Sequence, residues 1–332
     1  MKRWILKHDV TDIDGLALEE TAIPEPGPNQ VRIRVEAISL NARDLMVIAG
    51  PFGRMPGEDI VPASDMAGIV DAIGTGVTDW TVGDRVVNLH FKGWHTGAPP
   101  ADAGMGLGAL NENGVLSEYV VLDAARIART PTSLTATEAA CLPCAAVTAW
   151  NALFGDHPVA AKQRVMITGS GGVALFAMQL ALAAEASVSA ISGSASSRRH
   201  LSALGVEPVI DRIASPDWGQ AVFDATGGID KVIDTIGIGT ANQSLTALKY
   251  GGEVATVGLM DMDGPPIGFS LFGKSLRGIM VGSGAMYEDL SSFIDKHSLK
   301  PIIGERFELE HAQEALRTLA TSSTFGKIVV EP

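Results

Sequence analysis

The sequence predicts an α/β protein built from a barrel-like all-β domain and a domain with a doubly wound parallel sheet. Short alternating apolar runs, separated by Gly, Pro, Asn and Asp turns, fill the first third of the chain. Such runs are typical of barrels. From residue 164 onward, short apolar strands alternate with longer helical segments, as in βα repeats. With 332 residues, 46% of them hydrophobic and 19% charged, the chain is long enough to bury two cores.

The first pattern places strands of the β domain at 31–37, 68–73, 84–89 and 116–122. The second pattern predicts strands at 164–168, 187–191, 208–211, 231–234, 252–257 and 276–281, with helices at 172–184, 196–204, 215–225 and 240–249. A helix at 286–296, a strand near 306–309, a helix at 310–320 and a strand at 327–330 then return to the first domain. The predicted domains are therefore 1–124 with 285–332, and 125–284.

The most informative motif is the stretch RVMITGSGGVALFAMQLALAA, residues 164–184. An apolar strand there meets a glycine turn and continues as an Ala/Leu helix, with the G-x-G-x-x-[G/A] spacing of a Rossmann dinucleotide site. Gly169 permits the sharp turn, and Gly171 lets a pyrophosphate approach the backbone. Free N–H groups at the helix start would hold that pyrophosphate. The alternative is a Gly-rich turn of no special function. The cofactor-binding candidates are Gly169, Ser170, Gly171, Gly172 and Val173.

The next strand indicates which dinucleotide binds. An NAD-preferring site places Asp or Glu about 20 residues beyond the glycines, on the ribose 2′-hydroxyl. Here the strand at 187–191 is followed by serines and two arginines, which favours the 2′-phosphate of NADP(H). The alternative is that the arginines only form the exposed face of a helix. The candidates for this pocket are Ser192, Ser194, Ser197, Arg198 and Arg212.

The loops after the later strands are expected to surround the nicotinamide, because ligands of doubly wound sheets bind at the carboxyl ends of the strands. These loops add four further cofactor-binding candidates, Gly237, Gly258, Leu259 and Ser283.

Composition argues against several classes of partner. The formal net charge of −13 disfavours a nucleic-acid-binding surface, which needs clustered Lys and Arg. Cys141 and Cys144 are too few for a disulfide scaffold and are interpreted as buried thiols, with a redox pair or half a zinc site as alternatives. The N-terminal apolar run is too short for a secretory signal, and glycines interrupt the apolar run at 165–184. We expect a cytoplasmic protein with no membrane partner.

Six motifs along nearly the whole chain resemble those of the medium-chain dehydrogenase/reductase superfamily. They are ISLNARDL at 38–45, PASDMAGIV at 62–70, VGDRV at 82–86, GVLSEY at 114–119, LPCAAVTAW at 142–150 and FGKIVV at 325–330. The resemblance implies a GroES-like β domain, a Rossmann domain, and hydride transfer in the cleft between them. It also implies a homodimer formed through the strand near 276–281, and it adds Lys327 to the cofactor-binding candidates.

The chain departs from that superfamily at the zinc ligands. In its zinc alcohol dehydrogenases, a Cys, a His and a Cys of three of these motifs hold the catalytic zinc. The corresponding positions here are Asn41, Ser64 and Cys144, and Asn and Ser are poor zinc ligands. The cysteine lobe for a structural zinc is replaced by a stretch without cysteine, whose His90 and His95 are expected to be ordinary loop residues. The resemblance is therefore to the zinc-independent branch that contains quinone oxidoreductases, and no metal is expected.

Without a Lewis acid, a quinone or an α,β-unsaturated carbonyl is an easier hydride acceptor than a simple ketone, since the developing charge spreads onto oxygen. Asn41 is the candidate donor to that oxygen, Asp44 could orient a neighbour, and Thr148 could touch the nicotinamide. A local backbone hydrogen bond is the alternative role of Asp44. We expect an NADPH-dependent reductase of a small-molecule conjugated carbonyl. A zinc-free NADP-dependent alcohol dehydrogenase or ketone reductase, and a non-catalytic NADPH-binding protein, are the alternatives.

Overall fold

The chain divides into two compact units. The computed structural model describes residues 1–50, 57–110, 112–258, 261, 263–264 and 267–332. The first unit contains Met1–Val147 and Gly282–Pro332, and the second contains Thr148–Val281. The predicted α/β fold, with an all-β part and a parallel-sheet part, is confirmed. The first boundary lies after residue 147 rather than after 124, because the strand Ile127–Arg129 pairs with Arg85–Asn88 of the first unit.

The described strands, in chain order, are β1 (Lys2–Leu6), β2 (Leu16–Glu20), β3 (Gln30–Ser39), β4 (Asp65–Ile73), β5 (Arg85–Asn88), β6 (Tyr119–Asp123), β7 (Ile127–Arg129), β8 (Arg164–Thr168), β9 (Ser187–Ser192), β10 (Val209–Asp211), β11 (Ile229–Asp234), β12 (Leu248–Thr256), β13 (Ser275–Gly278), β14 (Ile303–Glu308) and β15 (Lys327–Glu331). The α-helices are α1 (Ala42–Ile48), α2 (Ala136–Ala139), α3 (Val147–Phe154), α4 (Gly172–Ala183), α5 (Ala195–Ala203), α6 (Trp218–Thr226), α7 (Ala241–Ala247), α8 (Gly284–His297) and α9 (Ala312–Thr321). A π-helical segment, Leu142–Ala146, precedes α3.

The first unit is organised around the long strand β3. Among the described residues, β14, β15, β3, β4, β5 and β7 follow one another in a sheet of seven strands, with β6 also paired to β3. The pairings of β3 are all antiparallel, and β-bulges interrupt its register with β4, which allows one strand to serve three neighbours. Alternate β3 side chains, among them Val31 and Ile33, are fully buried in the core of this unit.

The second unit is a parallel sheet in the order β10-β9-β8-β11-β12-β13 across its described strands. The order reverses between β8 and β11, and this reversal creates the crevice in which ligands of doubly wound sheets bind. The predicted strand at 164–168 coincides with β8, and the other strands differ from prediction by a few residues. The predicted helix at 240–249 ends earlier, at Ala247, because β12 already begins at Leu248.

None of the described helices combines the length and the apolar character that a bilayer crossing requires.

Candidate active site

The glycine loop of the second unit joins β8 to α4 at the point where the strand order reverses. Gly169 has a φ of +82°, a left-handed conformation that glycine adopts without steric cost. Gly171 is the N-cap of α4, and a Cβ built on it would meet no atom within 4 Å. The loop from Gly169 to Val173 is at least partly exposed to solvent. The backbone is therefore open to a pyrophosphate where the N–H groups of α4 point outward, and the predicted loop residues fit a dinucleotide.

Serine hydroxyls connect this loop to α5, the helix that follows β9. The Oγ of Ser170 donates a hydrogen bond to Ser197 Oγ at 3.0 Å. Ser194 is the N-cap of α5 and accepts from the Ser197 backbone N–H, while Ser192 Oγ accepts from the Ser194 N–H. The three predicted serines therefore lie in one turn after β9, beside the glycine loop.

Two predicted arginines reach the same turn. Arg198 donates from Nη1 to the Ser192 carbonyl at 3.0 Å, and its Nη2 lies 2.7 Å from Asp211 Oδ2. The exposed side chain of Arg212 lies close to Gly193. A Cβ built on that glycine would be 3.5 Å from Arg212 Nε. Asp211, which ends β10, is the residue that the sequence analysis missed. It is the carboxylate partner of Arg198, and only the parallel pairing of β9 with β10 reveals it.

The loops after β11 and β12 meet at the same edge of the sheet. Buried Asp234, at the end of β11, accepts hydrogen bonds from the Gly237 backbone N–H and from the Ser244 hydroxyl. The Gly258 N–H donates to the Asp234 carbonyl, and a Cβ on Gly258 would lie 2.3 Å from a backbone atom of Ile236. Gly237 and Gly258 are therefore placed together, as the nicotinamide assignment requires. Leu259 lies outside the described residues.

Other predicted residues lie elsewhere in the two units. Thr148 is buried in the first turn of α3, in the second unit. Ser283 is buried in the first unit, where it caps α8 by accepting the Met286 N–H. A structural role thus accounts for the Ser283 hydroxyl.

The first unit holds a polar cluster around Asn41, the N-cap of α1. Lys327, only 5% exposed, donates to the Leu40 carbonyl and to Asn41 Oδ1, each at 2.6 Å. Because the ammonium occupies Oδ1, the amide orientation is set and Nδ2 is the donor side. Nδ2 makes two long contacts of 3.4 Å, with the Ser39 carbonyl and Ser64 Oγ. The structure therefore groups Lys327 with the candidate catalytic amide.

Asp44 closes the first turn of α1. Its Oδ2 accepts the Asn41 backbone N–H at 2.8 Å, and Arg43 Nη1 lies 3.3 Å from Oδ1. Burial raises the pKa of Asp44 to about 6, with a further contribution from Asp65, against the lowering effect of Arg43 and the Asn41 N–H. The local backbone hydrogen bond that the sequence left as an alternative is present. Asp44 therefore acts on Asn41 by positioning it.

Next to this cluster, three potential metal ligands converge. Ligand atoms of Asp65, His90 and Cys144 all lie within 4.8 Å of one another. Ser64 Oγ donates to Asp65 Oδ1 at 2.8 Å, and the Cys144 backbone N–H donates to Oδ2 at 2.9 Å. Burial raises the pKa of Asp65, but His90, Lys327 and hydrogen bonds outweigh this effect and hold it below the ordinary value. The sequence analysis discussed His90 and Cys144 singly, included Asp65 only in the motif at 62–70, and did not place the three together.

Comparison with known proteins gives the family. Residues 27–132 match the family model of the alcohol dehydrogenase GroES-like domain, and residues 172–296 match that of zinc-binding dehydrogenases. A zinc-type alcohol dehydrogenase-like protein of Schizosaccharomyces pombe is 32% identical over 341 residues, covering 99% of both chains. The chain belongs to the medium-chain dehydrogenase/reductase superfamily. It is an oxidoreductase of that superfamily.

Two further similar proteins support membership of this superfamily. The NADPH-dependent alkenal/one oxidoreductase of Arabidopsis thaliana, a chloroplastic protein, is 29% identical over 343 residues, covering 100% of this chain and 80% of that protein. A crystal structure from Sinorhizobium meliloti 1021, provisionally named an alcohol dehydrogenase, is 36% identical and covers both chains fully, with a TM-score of 0.90. The resemblance inferred from the motifs is confirmed, and the Arabidopsis relative fits its quinone-oxidoreductase-like branch.

The residues at the zinc positions of this dehydrogenase/reductase do not fit a zinc ion held in the family's manner. Asn41 Oδ1 is occupied by the Lys327 ammonium, and Ser64 is a neutral hydroxyl that donates to Asp65. Cys144 alone retains a ligand of the expected type. Any metal bound in this region would therefore need a different set of ligands.

The raised pKa of Asp44 predicts a specific pH dependence of stability. Between pH 4 and 6 the native carboxyl holds a proton that the unfolded chain has lost, so the free energy of unfolding falls as pH rises through this window. The Asp44 contribution amounts to roughly 3 kcal/mol. Asp44→Asn keeps an acceptor for the Asn41 N–H and cannot ionise, so urea unfolding should show a stabilised variant at pH 8 and a smaller difference at pH 4.

The control for this measurement is Asp9→Asn, which changes an exposed carboxylate. It should follow the wild-type pH profile. An Asp44→Asn profile parallel to that of the wild type would contradict the assignment.

Proposed function

We propose that this oxidoreductase uses NADP(H) and transfers a hydride to a quinone, an enone or a related conjugated carbonyl. The proposal rests on the serine hydroxyls and arginine guanidinium groups that gather in the turn after β9. A hydrogen bond between Ser170 and Ser197 links this turn to the glycine loop. The cytoplasmic location expected from the sequence is part of the proposal, and Cys141 and Cys144, which are not joined in a disulfide, are compatible with it.

The cofactor assignment depends on charge at the ribose 2′ position. Serine hydroxyls donate to phosphate oxygens, and a guanidinium pairs with them through charge-assisted hydrogen bonds. Arg198 and Arg212 supply two positive charges at this turn, and Asp211 neutralises one of them in the absence of ligand. The NADPH dependence named for the Arabidopsis relative supports the same cofactor.

The acceptor assignment depends on what replaces zinc at the family positions. Bound NADPH supplies the hydride; the protein has to hold the acceptor and stabilise the negative charge that develops on its oxygen. Asn41 Nδ2 is the side-chain donor proposed for that oxygen, since Lys327 fixes Oδ1 and the present Nδ2 contacts are long. Asp44 positions Asn41 through its backbone N–H, and Thr148 is proposed to contact the nicotinamide.

We therefore propose a reaction that does not use zinc at the family's catalytic position. Residues 41, 64 and 144 no longer provide the Cys, His and Cys that bind zinc there. A second candidate function is an NADP-dependent alcohol dehydrogenase or ketone reductase. The name of the Schizosaccharomyces pombe relative favours it. The two functions differ in the acceptors that the enzyme turns over.

We also propose that the enzyme forms a homodimer through β13. Among the described strands, β13 pairs only with β12, so one edge of the sheet is open. Phe269 and Phe272, just before it, are 86% and 65% exposed and stack on each other at 5.3 Å, and Tyr250 is also exposed. An open edge beside an exposed apolar patch favours self-association.

Replacing Phe272 tests the dimer. Light scattering should give twice the chain mass for the wild type and the single-chain mass for Phe272→Asp. The control is Leu204→Asp, which should remain dimeric. Leu204 is exposed and ends α5, the helix before β10, and β10 is the edge strand opposite β13. A monomeric wild type would contradict the proposal.

The arginines provide the test of the cofactor. Arg212→Ala and Arg198→Ala should each raise KM for NADPH roughly tenfold or more, since a lost charge-assisted hydrogen bond is worth about 1.5–3 kcal/mol. KM for NADH should not change, because NADH has no 2′-phosphate. Asp211→Asn should lower KM for NADPH, because it releases Arg198 from its carboxylate. Equal effects on the two cofactors would contradict the assignment.

The acceptor is tested with a panel of quinones, enones, simple ketones and secondary alcohols. The wild type should reduce the conjugated compounds with NADPH. Asn41→Asp keeps an acceptor for Lys327 but removes the amide donors, so kcat should fall by about 10²–10³ with an unchanged KM for NADPH. The exposed Asn29→Asp is the control. Turnover confined to secondary alcohols would assign the second candidate function instead.

A further inference from the structure

A long loop joins β5 to β6 in the first unit and passes close to the candidate catalytic amide. This β5–β6 loop comprises residues 89–118, all of which the structure describes except residue 111. A connection of this length inside a compact domain is usually functional rather than a simple link between strands. Separate sets of contacts hold its start, its middle and its end.

The two ends of the β5–β6 loop are held by residues outside α1. Near the start of the loop, the Trp94 carbonyl accepts a hydrogen bond of 2.9 Å from the N–H of Gly284, the first residue of α8. Near its end, Glu112 forms an ion pair with the buried side chain of Arg126. These contacts leave the stretch between them to be positioned by other groups.

Arg43, a residue of α1, holds the middle of the loop. Its Nη1 donates to the Leu107 carbonyl at 2.8 Å, and its Nη2 donates to the Met105 carbonyl at 2.9 Å. The same Nη1 lies 3.3 Å from Asp44 Oδ1, and only 10% of the Arg43 side chain is exposed. Hydrogen bonds from a charged, largely buried donor are among the stronger ones in proteins. One guanidinium therefore connects the loop to the carboxylate that positions Asn41.

The turn at 105–108, which Arg43 holds, lies near the donor side of Asn41. Gly108 has a φ of +73°, and a Cβ built on it would lie 2.7 Å from the Ala63 carbonyl oxygen. The residue after that alanine places its hydroxyl oxygen 3.4 Å from Asn41 Nδ2, the atom proposed to donate to the acceptor oxygen. Only a residue without a side chain allows the turn to lie so close to this cluster.

Met105 differs from the rest of this turn in its exposure. Residues 106–109 are buried, whereas Met105 is half-buried. Its carbonyl is held by Arg43, so the backbone is fixed while the unbranched thioether side chain can still change its rotamer. Methionine adapts to irregular apolar shapes, and apolar side chains form most of the lining of pockets for small molecules. Met105 is therefore suited to line a pocket for an apolar acceptor.

We propose that Arg43 is a positioning residue for acceptor binding and that Met105 forms part of the wall of the acceptor pocket. Arg43 holds the turn beside Asn41, and the Met105 side chain then limits the size of the carbonyl compound that reaches the amide. Neither residue takes part in bond making or breaking. Because the acceptor is assigned to Asn41 Nδ2, these two roles rest on the proposed reductase function.

Hydrogen exchange of the full-length enzyme tests the loop contact without turnover. In Arg43→Ala, peptides that cover 103–110 should exchange roughly tenfold faster than in the wild type, because the turn that holds the Gly108 N–H on the Glu112 carbonyl is released. Peptides that cover Gly284, which bonds to the start of the loop, should exchange at the wild-type rate. Arg43→Lys keeps a cation that can reach one carbonyl, so it should be intermediate. Unchanged exchange at 103–110 in Arg43→Ala would overturn the role of Arg43.

Steady-state kinetics tests the link between Arg43 and the acceptor. Arg43→Ala should raise KM for a conjugated carbonyl roughly tenfold and leave KM for NADPH within about twofold, a split that a general loss of structure would not produce. Arg43→Lys should recover part of the loss, and it provides the comparison if circular dichroism shows that Arg43→Ala does not fold. The control is Arg34→Ala, which removes an exposed guanidinium paired with Glu36 and should match the wild type. An equal rise in both KM values would contradict the positioning role.

Substrate size tests the wall residue. Met105→Ala should raise the ratio of kcat/KM for a bulky enone to that for a small enone about tenfold, because a few methylene groups are removed from the pocket. The control is Leu18→Ala, which shortens an exposed apolar side chain of β2 and should leave the ratio unchanged. A Met105→Ala variant with the wild-type ratio would remove Met105 from the pocket.

Exchange and kinetics together separate these roles from the proposed function. Turnover confined to secondary alcohols would contradict the reduction of conjugated carbonyls, whereas the exchange result would be unaffected and KM would be measured for the alcohol. Faster exchange at 103–110 in Arg43→Ala, combined with an unchanged KM for every acceptor in the panel, would overturn the role of Arg43 in acceptor binding.

Discussion

The burial of the Lys327 ammonium is the interaction on which the candidate active site depends. A buried charge must be paired or fully hydrogen-bonded, because its desolvation costs several kcal/mol. Lys327 offsets part of this cost by donating to the Leu40 carbonyl and to Asn41 Oδ1, which use two of its three N–H donors. Those two bonds tie the first residue of β15 to the end of β3 and orient the Asn41 amide. The C-terminal strand therefore contributes directly to the geometry of a site that begins near residue 40.

From Asn41 the polar network continues through the core of the first unit. Long contacts lead from the amide to Ser64, and shorter hydrogen bonds lead from Ser64 and from the Cys144 backbone to Asp65. The Lys327 charge also helps to keep the pKa of buried Asp65 low. Beside this network two buried side-chain atoms, Ser39 Oγ and His90 Nδ1, lack a hydrogen-bond partner among the described residues.

In the second unit, the candidate site is formed largely by backbone N–H groups. Its glycine loop is open to solvent at Gly171, where N–H groups of a helix start can face an anion, and serine and arginine side chains lie beside the loop after β9. Here the predicted glycines lie in one turn, because strand, turn and helix are consecutive in the chain. Asp211, by contrast, reaches Arg198 only through the pairing of β10 with β9.

The sequence by itself determined the two sheet types, the glycine loop with its helix, and the loss of the family's zinc ligands at positions 41 and 64, because each depends on residues close together in the chain. Only the tertiary structure decided that Lys327 orients Asn41, that Asp211 pairs with Arg198, and that Asp65, His90 and Cys144 converge. Local patterns of polarity report which face of a strand or helix is buried. They carry no information on which distant side chains meet, since strand order and loop paths bring residues 65, 90 and 144 together.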